Sequence, residues 1–346
     1  FYPYSPSVQA CCRSFPRPLP RKPLRGNSSM ALRKATAAPW SELSTRLQYL
    51  TEGKDIHTAG RRGLRHRTDG PPSAQAELRL FGARESEVRV VLYRDNHAWC
   101  PYCHKVWLQL EEKRVPYRVE KISMNCYGDK KRSFLQKTPR GLLPALELDS
   151  NFYVESSVIM QLIEEAFPER PLLPLQGSPQ AKLASQSMSL ERTLFGAWLN
   201  WLRGEESVRA RRVFEDAMDE TDRVLNSCDG PYFLGPEVSL VDLVFASSLE
   251  RIAASILYYK GLRIKGGHWQ HLNAWFDTME LLESYRATQS DFHTHVHDLP
   301  PQIGGCLSSG SPEQLAAAAE IDGRDGRSWH LPLAPLTAAS LEPGSE

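Results

Sequence analysis

The chain has no run of 18 or more apolar residues, and its mean hydropathy is −0.43, so no membrane-spanning helix and no membrane partner are expected. Its charge is nearly balanced at +1, and no stripe interleaves basic and aromatic residues, which argues against nucleic acid as a partner. Cysteine is scarce. Seven residues (Cys11, Cys12, Cys100, Cys103, Cys126, Cys228 and Cys306) are spread over 346 positions, too few and too scattered for the disulfide framework of a small secreted domain. A reducing compartment fits that usage. There is one Cys-x-x-Cys, Cys100 to Cys103, and no second pair to complete a four-cysteine zinc site. No internal repeat is present.

Acids are missing from the first 41 residues. Through position 70 there are 13 Lys and Arg against four acids, a net +9, so the remainder carries about −8 and the globular part is acidic. Residues 1–70 therefore read as an extension outside the fold, with the Ser-, Pro-, Arg- and Ala-rich composition of an organelle transit peptide. A disordered basic arm, or translated untranslated sequence, is the alternative, since the first methionine is Met30. Trp40, Leu43, Leu47 and Leu50 recur at helical spacing and predict a short amphipathic helix before the linker.

At 41% hydrophobic, the rest of the chain is long enough to build two ordinary domains. "VRVVLYRD" predicts a buried strand, and an amphipathic helix to about Arg114 follows it. "PYRVEKI" predicts a second strand, "GDKKRSFLQ" a short helix, "GLLPALEL" and "NFYVES" two more strands, and "SSVIMQLIEEAF" a closing helix. The order βαβαββα over residues 86–170 is the layout of a thioredoxin-like α/β domain. After a proline-rich connector, residues 178–287 predict an all-α domain of four long helices, one opening at Ser239-x-x-Asp242, a variant capping box. One of those helices is expected to run through "HLNAWFDTMELLESY". Residues 288–306 read as a histidine-bearing strap and residues 307–346 as a disordered tail.

Four readings of the cysteine pair can be weighed. Cys126 and His104 could complete a zinc site, the pair could form a permanent disulfide, both residues could fill a core, or Cys100 could be a reactive thiol. The last has a physical cause: a strand delivers Cys100 to the first turn of a helix, where unpaired N–H groups and the helix dipole favour a thiolate. Pro101 suits the first helical position, and Cys103 lies near enough to resolve a mixed disulfide. That reading requires a sulfur that solvent reaches; a sealed thiol would favour a passive scaffold. Pro144 opens a strand, either as a cis proline facing the cysteine, which leaves the backbone of Leu143 to pair with a peptide-like ligand, or as an ordinary edge proline. Glu155 and Ser156 head a helix, as plain cap residues or as an anion-receptive end carrying an acid.

Taken in order, "WCPYCHKVWLQLEEKRVPY", "TPRGLLPALEL", "VESS" and "SLVDLVFASSLERI" resemble a glutathione transferase over about residues 75–306. The stretch from "YYKGLRIKGGHWQHLNAWF" to "GGC" is similar in particular to a cysteine-type, plastid-associated subgroup of plants and algae related to the iota class. The resemblance implies glutathione as co-substrate, a mixed disulfide on Cys100, and Glu155 and Ser156 gripping the γ-glutamyl end. It implies that the Leu143 backbone pairs with the cysteinyl moiety and that Lys130, or equally Lys131, meets the glycyl carboxylate. Tyr102 and Trp99 would line the thiol. Cys103 departs from many cysteine-type members and matches dithiol glutaredoxins, so one-thiol and two-thiol cycles are both open. The implied activity is thiol transfer or reduction on a small electrophile or glutathionylated substrate, with dehydroascorbate as a specific case. A homodimer and a location in the plastid stroma, with the cytoplasm as alternative, are also implied by the resemblance. A ligand carrier or assembly module on the same scaffold is the competing class.

Three further groups complete the reading. His293, His295 and His297 alternate, so an extended strap would place all three on one face, able to bind a metal or simply to pack as a polar surface. Trp198, Trp201 and Trp275 are expected in the core rather than as substrate walls. Arg209, Arg211 and Arg212 are expected on a solvated helix face.

Overall fold

The computed structural model describes residues 74–324, apart from Gln75 and Asn125. The basic extension, the short helix expected over 39–50 and the last residues of the tail lie outside the described residues.

Five strands form one mixed sheet: β1 (Leu78–Arg79), β2 (Val90–Asp95), β3 (Tyr117–Ile122), β4 (Ala145–Leu148) and β5 (Asn151–Val154), in the order β1-β3-β2-β4-β5. β2 and β3 are parallel and the other neighbours antiparallel. The parallel step needs a crossover, which α1 (Pro101–Glu112) supplies. Val90 and Leu92 of β2 and Leu146 of β4 are fully buried, as expected of strands covered on the core side. Helices α2 (Arg132–Lys137) and α3 (Ser156–Ala166) complete the α/β part. β1 was not anticipated. At two residues it is too short to show a period, and its pairing with Arg118 and Tyr117 of β3 is what defines it.

The register brings three chain positions to one end of the sheet. Tyr93, near the end of β2, lies opposite Ala145, the first residue of β4; Ala145 in turn lies opposite Val154, the last residue of β5. Because both pairings are antiparallel, the segment leaving β2, the segment entering β4 and the segment leaving β5 all emerge together. Those segments carry Cys100, Pro144 and Glu155.

The helical part contains α4 (Pro179–Arg203), α5 (Val208–Asn226), α6 (Leu240–Lys260), α7 (Gln270–Met279), α8 (Glu283–Thr288), α9 (Phe292–Ile303) and α10 (Pro312–Ile321). Every residue of α6 except Tyr258 is buried, so this helix is the axis around which the others pack. The capping box at its start forms as expected: the Asp242 carboxylate accepts from the Ser239 N–H at 2.9 Å. The same carboxylate accepts from the Phe233 N–H and the Trp275 indole, tying two further segments to the start of α6. At the other end Gly261 takes a left-handed φ of 76°. A Cβ there would stand 2.6 Å from the Gln314 backbone nitrogen, so only glycine lets α10 dock on the end of α6. Trp198, Trp201 and Trp275 are buried in the core, and Arg209, Arg211 and Arg212 are exposed along α5.

Three expectations are corrected. The helix expected through residues 271–285 is two helices, α7 and α8, separated at Glu280–Leu282 without a glycine or proline to mark the break. The strap is helical. Its prolines, Pro300 and Pro301, sit in the last turn of α9, where one carbonyl they leave without a helical partner, that of Val296, accepts from the Tyr259 hydroxyl at 2.8 Å. Finally, the segment expected as tail holds α10, which starts at a Ser311 cap and buries Ala317, Ala318 and Ile321. Among the described residues, no helix is long and apolar enough to cross a membrane.

Candidate functional site

Cys100 is the N-cap of α1. Its carbonyl accepts from the His104 N–H at 2.9 Å, and Pro101 takes the first helical position. Among the described residues the cysteines are free thiols, and neither Cys126, which is exposed, nor His104 joins the Cys100–Cys103 pair as a ligand group. The Cys100 and Cys103 sulfurs and an Asp95 carboxylate oxygen lie within 4.8 Å of one another. Cys103 is buried inside α1. Burial, first, and then the neighbouring Cys100 push its thiol well above the ordinary range, so Cys103 stays protonated. Cys100 itself keeps 4% of its surface exposed, against 1% for Cys103. The sulfur is recessed rather than prominent.

The loop that carries Cys100 is held from both sides by groups that sequence reasoning missed. The Trp99 N–H donates to Asp95 Oδ2 at 2.6 Å. The Trp99 carbonyl accepts two bonds from one guanidinium, Arg251 Nε at 2.9 Å and Nη2 at 2.7 Å. Arg251 comes from α6, 152 residues away, and is 1% exposed. Its remaining nitrogen reaches His104 Nδ1 at 2.8 Å and Glu250 Oε2 at 3.0 Å. With Nδ1 accepting from arginine, His104 presents its Nε2–H to Thr288 Oγ1 at 3.1 Å, which assigns the neutral tautomer. Burial, above all, holds His104 in that form by pushing its pKa down to about 3. Glu250 behaves oppositely: burial alone would raise it, but the polar groups gathered around it, with the Arg251 guanidinium as their cation, hold it below the ordinary carboxylate range. Since His104 is neutral, Arg251 is the permanent cation in that set. Thus a network buried across the two halves fixes the peptide that precedes the thiol.

The other expected residues fall at the same end of the sheet. The Leu143–Pro144 peptide is cis, and both residues are buried. Glu155 caps α3 with φ 70° and ψ 110°, a left-handed backbone that a non-glycine residue adopts at a cost of about 1–3 kcal/mol. Ser156 behind it is buried. Lys130 lies against Gly141, in the loop leading to Leu143, and its Nζ donates to the Ser123 carbonyl at 2.9 Å. Lys131 is exposed and caps α2, so the structure separates the two lysines that the sequence left equal. Tyr102 is half-buried on α1 beside Phe195, with the Lys105 ammonium 5.2 Å from its ring. Burial, then the proximity of Cys100, Glu191 and Glu155, raises its hydroxyl. Tyr102 is therefore neutral and lies within electrostatic reach of both Cys100 and Glu155. His293 and His297 share a face of α9, whereas His295 is fully buried on the opposite side, 3.5 Å from Glu250.

Residues 99–166 match the family model described as glutathione S-transferase, N-terminal domain. The solved glutathione transferase Omega 3C from Trametes versicolor superposes with a TM-score of 0.55 at 26% identity, covering 62% of this chain and 91% of its own. The fold is that of a glutathione transferase. Within that fold the chain is similar to the glutathione S-transferase DHAR2 of Arabidopsis thaliana, at 29% identity over 162 residues, 46% of this chain and 70% of the relative. It is also similar to the chloroplastic glutathione S-transferase DHAR3 of the same plant, at 25% identity over 207 residues, 60% of this chain and 75% of the relative. In transferase terms, the α/β part is the N-terminal domain, and α4 to α10 form the helical part behind it.

Proposed function

We propose that this chain is a glutathione-dependent thiol transferase or reductase of the cysteine type, working through a mixed disulfide on Cys100. The observation that carries the reading is the convergence of Cys100, the Leu143–Pro144 loop and the Glu155–Ser156 helix start at one end of the sheet, set by the register of Tyr93, Ala145 and Val154. Glutathione would lie across that end. Its γ-glutamyl group would meet Glu155 and the N–H groups at the start of α3, its cysteinyl backbone Leu143, and its glycyl carboxylate Lys130.

In the cycle, the Cys100 thiolate attacks the glutathione sulfur of a mixed disulfide. An enzyme–glutathione disulfide forms and the other thiolate leaves, taking a proton. A second glutathione thiolate then attacks that disulfide, giving oxidised glutathione and free Cys100. With dehydroascorbate as substrate, two glutathiones supply the two electrons and two protons that turn it into ascorbate. The burial of Cys103, the first cause of its raised thiol, persists in the enzyme–glutathione disulfide and favours this one-thiol cycle, because a buried, protonated thiol is a slow internal nucleophile.

Intact-mass measurement after treatment with oxidised glutathione tests the proposal. One added glutathione, absent in Cys100→Ser and retained in Cys103→Ser, is expected; an internal disulfide would point to the two-thiol cycle. The burial of Cys100 is the observation that favours a second reading, a non-catalytic ligand carrier. A carrier would bind glutathione equally well as Cys100→Ser and show no turnover in either form.

A homodimer belongs to the same proposal and is tested by light scattering in solution. So does a plastid location, supported by the acid-free N-terminal composition and the chloroplastic relative. Import of the full chain into isolated chloroplasts, with loss of its N-terminal segment, is the expected result.

A further inference from the structure

Folding the histidine segment as a helix rearranges its chemistry. His293 and His297 stand one turn apart on the exposed face of α9, with ring centroids 4.4 Å apart. Beside them is Asp322, the residue that ends α10. Its Oδ1 lies 2.9 Å from His297 Nε2, and one ligand atom from each of the three residues lies within 4.8 Å of the other two. The second carboxylate oxygen, Oδ2, is engaged elsewhere: it accepts from the Tyr258 hydroxyl at 3.1 Å and from Arg324 Nη2 at 2.6 Å.

That division of labour is what a metal ligand needs. One oxygen faces the imidazoles, while the other is fixed by outer partners that orient the carboxylate. Two histidines four residues apart on a helix present their nitrogens to a common point, and a carboxylate from a second element closes the set. We infer that His293, His297 and Asp322 form a surface site for a divalent transition ion of borderline softness, zinc above all, that clips the end of α10 to α9. Two imidazole nitrogens with one carboxylate suit zinc, cobalt or nickel; calcium and magnesium require mainly oxygen donors. Three protein ligands leave at least one coordination position for water. Arg324 sets the limit on affinity, because its charge sits on the same carboxylate.

The chain contains a second cluster of potential ligands, Asp95 with Cys100 and Cys103, so the test must tell nitrogen and oxygen donors from sulfur. Untagged full-length protein is titrated with cobalt(II) and followed by absorption. The expected result is saturable uptake with weak visible d–d bands, no intense near-ultraviolet sulfur-to-cobalt band, and displacement of the cobalt by zinc. These bands persist in Cys100→Ser/Cys103→Ser and disappear in His293→Ala, in His297→Ala and in Asp322→Asn. Both histidines are exposed, so their alanine variants should keep the wild-type circular dichroism and thermal midpoint without metal. With zinc, α10 in the wild type alone becomes slower to cleave by protease. No d–d bands in the wild type, bands that survive His293→Ala/His297→Ala, or a sulfur band that vanishes with Cys100 would each overturn the inference.

Discussion

Arg79 and Arg251 are both 1% exposed, yet they serve the molecule differently. Arg79 forms a forked pair with the Glu111 carboxylate, Nε at 2.9 Å and Nη2 at 3.1 Å, and Tyr117 donates to the same carboxylate. All three belong to the α/β part, and their mutual pairing satisfies their burial. Arg251 instead directs its fork at a backbone carbonyl, that of Trp99, and only its remaining nitrogen at Glu250 and His104. A carboxylate partner can be deleted together with its arginine; a main-chain carbonyl cannot. The first arginine is therefore replaceable architecture, and the second is a positioning residue for the peptide next to the thiol.

The largest effect should come from breaking that distinction at Arg251. Arg251→Met leaves Glu250 buried without its permanent cation and the Trp99 carbonyl without donors, and should cost about 3–5 kcal/mol in chemical denaturation. Arg79→Met alone should cost a comparable amount, about 3–5 kcal/mol, but Arg79→Met/Glu111→Leu/Tyr117→Phe, which removes the Tyr117 hydroxyl together with its acceptor, should recover most of it. No equivalent combination should rescue Arg251→Met.

A milder exchange sharpens the comparison. Lysine keeps the charge and loses the fork. Arg251→Lys should change the alkylation rate of Cys100 several-fold, on the order of 1 kcal/mol for the lost second bond, while Arg79→Lys should leave that rate unmoved. Equal responses from the two would remove the positioning role.

Acid provides a third probe. His104 and His295 are neutral in the fold and bind protons more readily once unfolded, so their contribution is complete above about pH 6.5 and declines as pH falls towards the depressed folded value, about 3 for His104. Glu250, also lowered, adds its own loss below about pH 4.5. The thermal midpoint should therefore fall on acidification from about pH 6.5, at no more than about 1.4 kcal/mol per pH unit for each group. Thr288→Val, which removes a partner of His104 and leaves Arg251 in place, should leave the onset near about pH 6.5 and shift the acid end of the decline, where His104 itself titrates in the fold; an unchanged acid end would show that the histidines titrate elsewhere. The smallest effect belongs to Arg211 and Glu215, an exposed pair on α5 at 2.9 Å, where Glu215→Gln should change stability by less than about 0.5 kcal/mol.

The contrast also explains what could be read from the sequence. The elements around Cys100 were legible because strand alternation, the Cys-Pro-Tyr-Cys turn and the Ser239–Asp242 cap are local signals, each contained in a few residues. The order of the α/β part and the helical character of the C-terminal part agree with the structure for that reason. Arg251, His104 and Asp95 were not legible as a set, since arginine and histidine are joined across 147 residues and no periodicity records such a contact. The alternating histidines read as extended chain; they lie instead in a helix whose last turn carries Pro300 and Pro301, with the Tyr259 hydroxyl donating to the Val296 carbonyl. That Lys130 packs on Gly141 while Lys131 stays exposed is likewise a tertiary difference that two adjacent lysines do not record in sequence.

The glycine at position 261 ties the fate of α10 to the most enclosed helix of the molecule. A chain truncated at Cys306 would uncover the last turn of α6, including the side of Tyr258 whose carbonyl receives Gln314. Such a shortened protein should gain dye-binding apolar surface and precipitate on warming before its thiol chemistry is impaired, so that what resembles a dispensable appendage acts as a stopper.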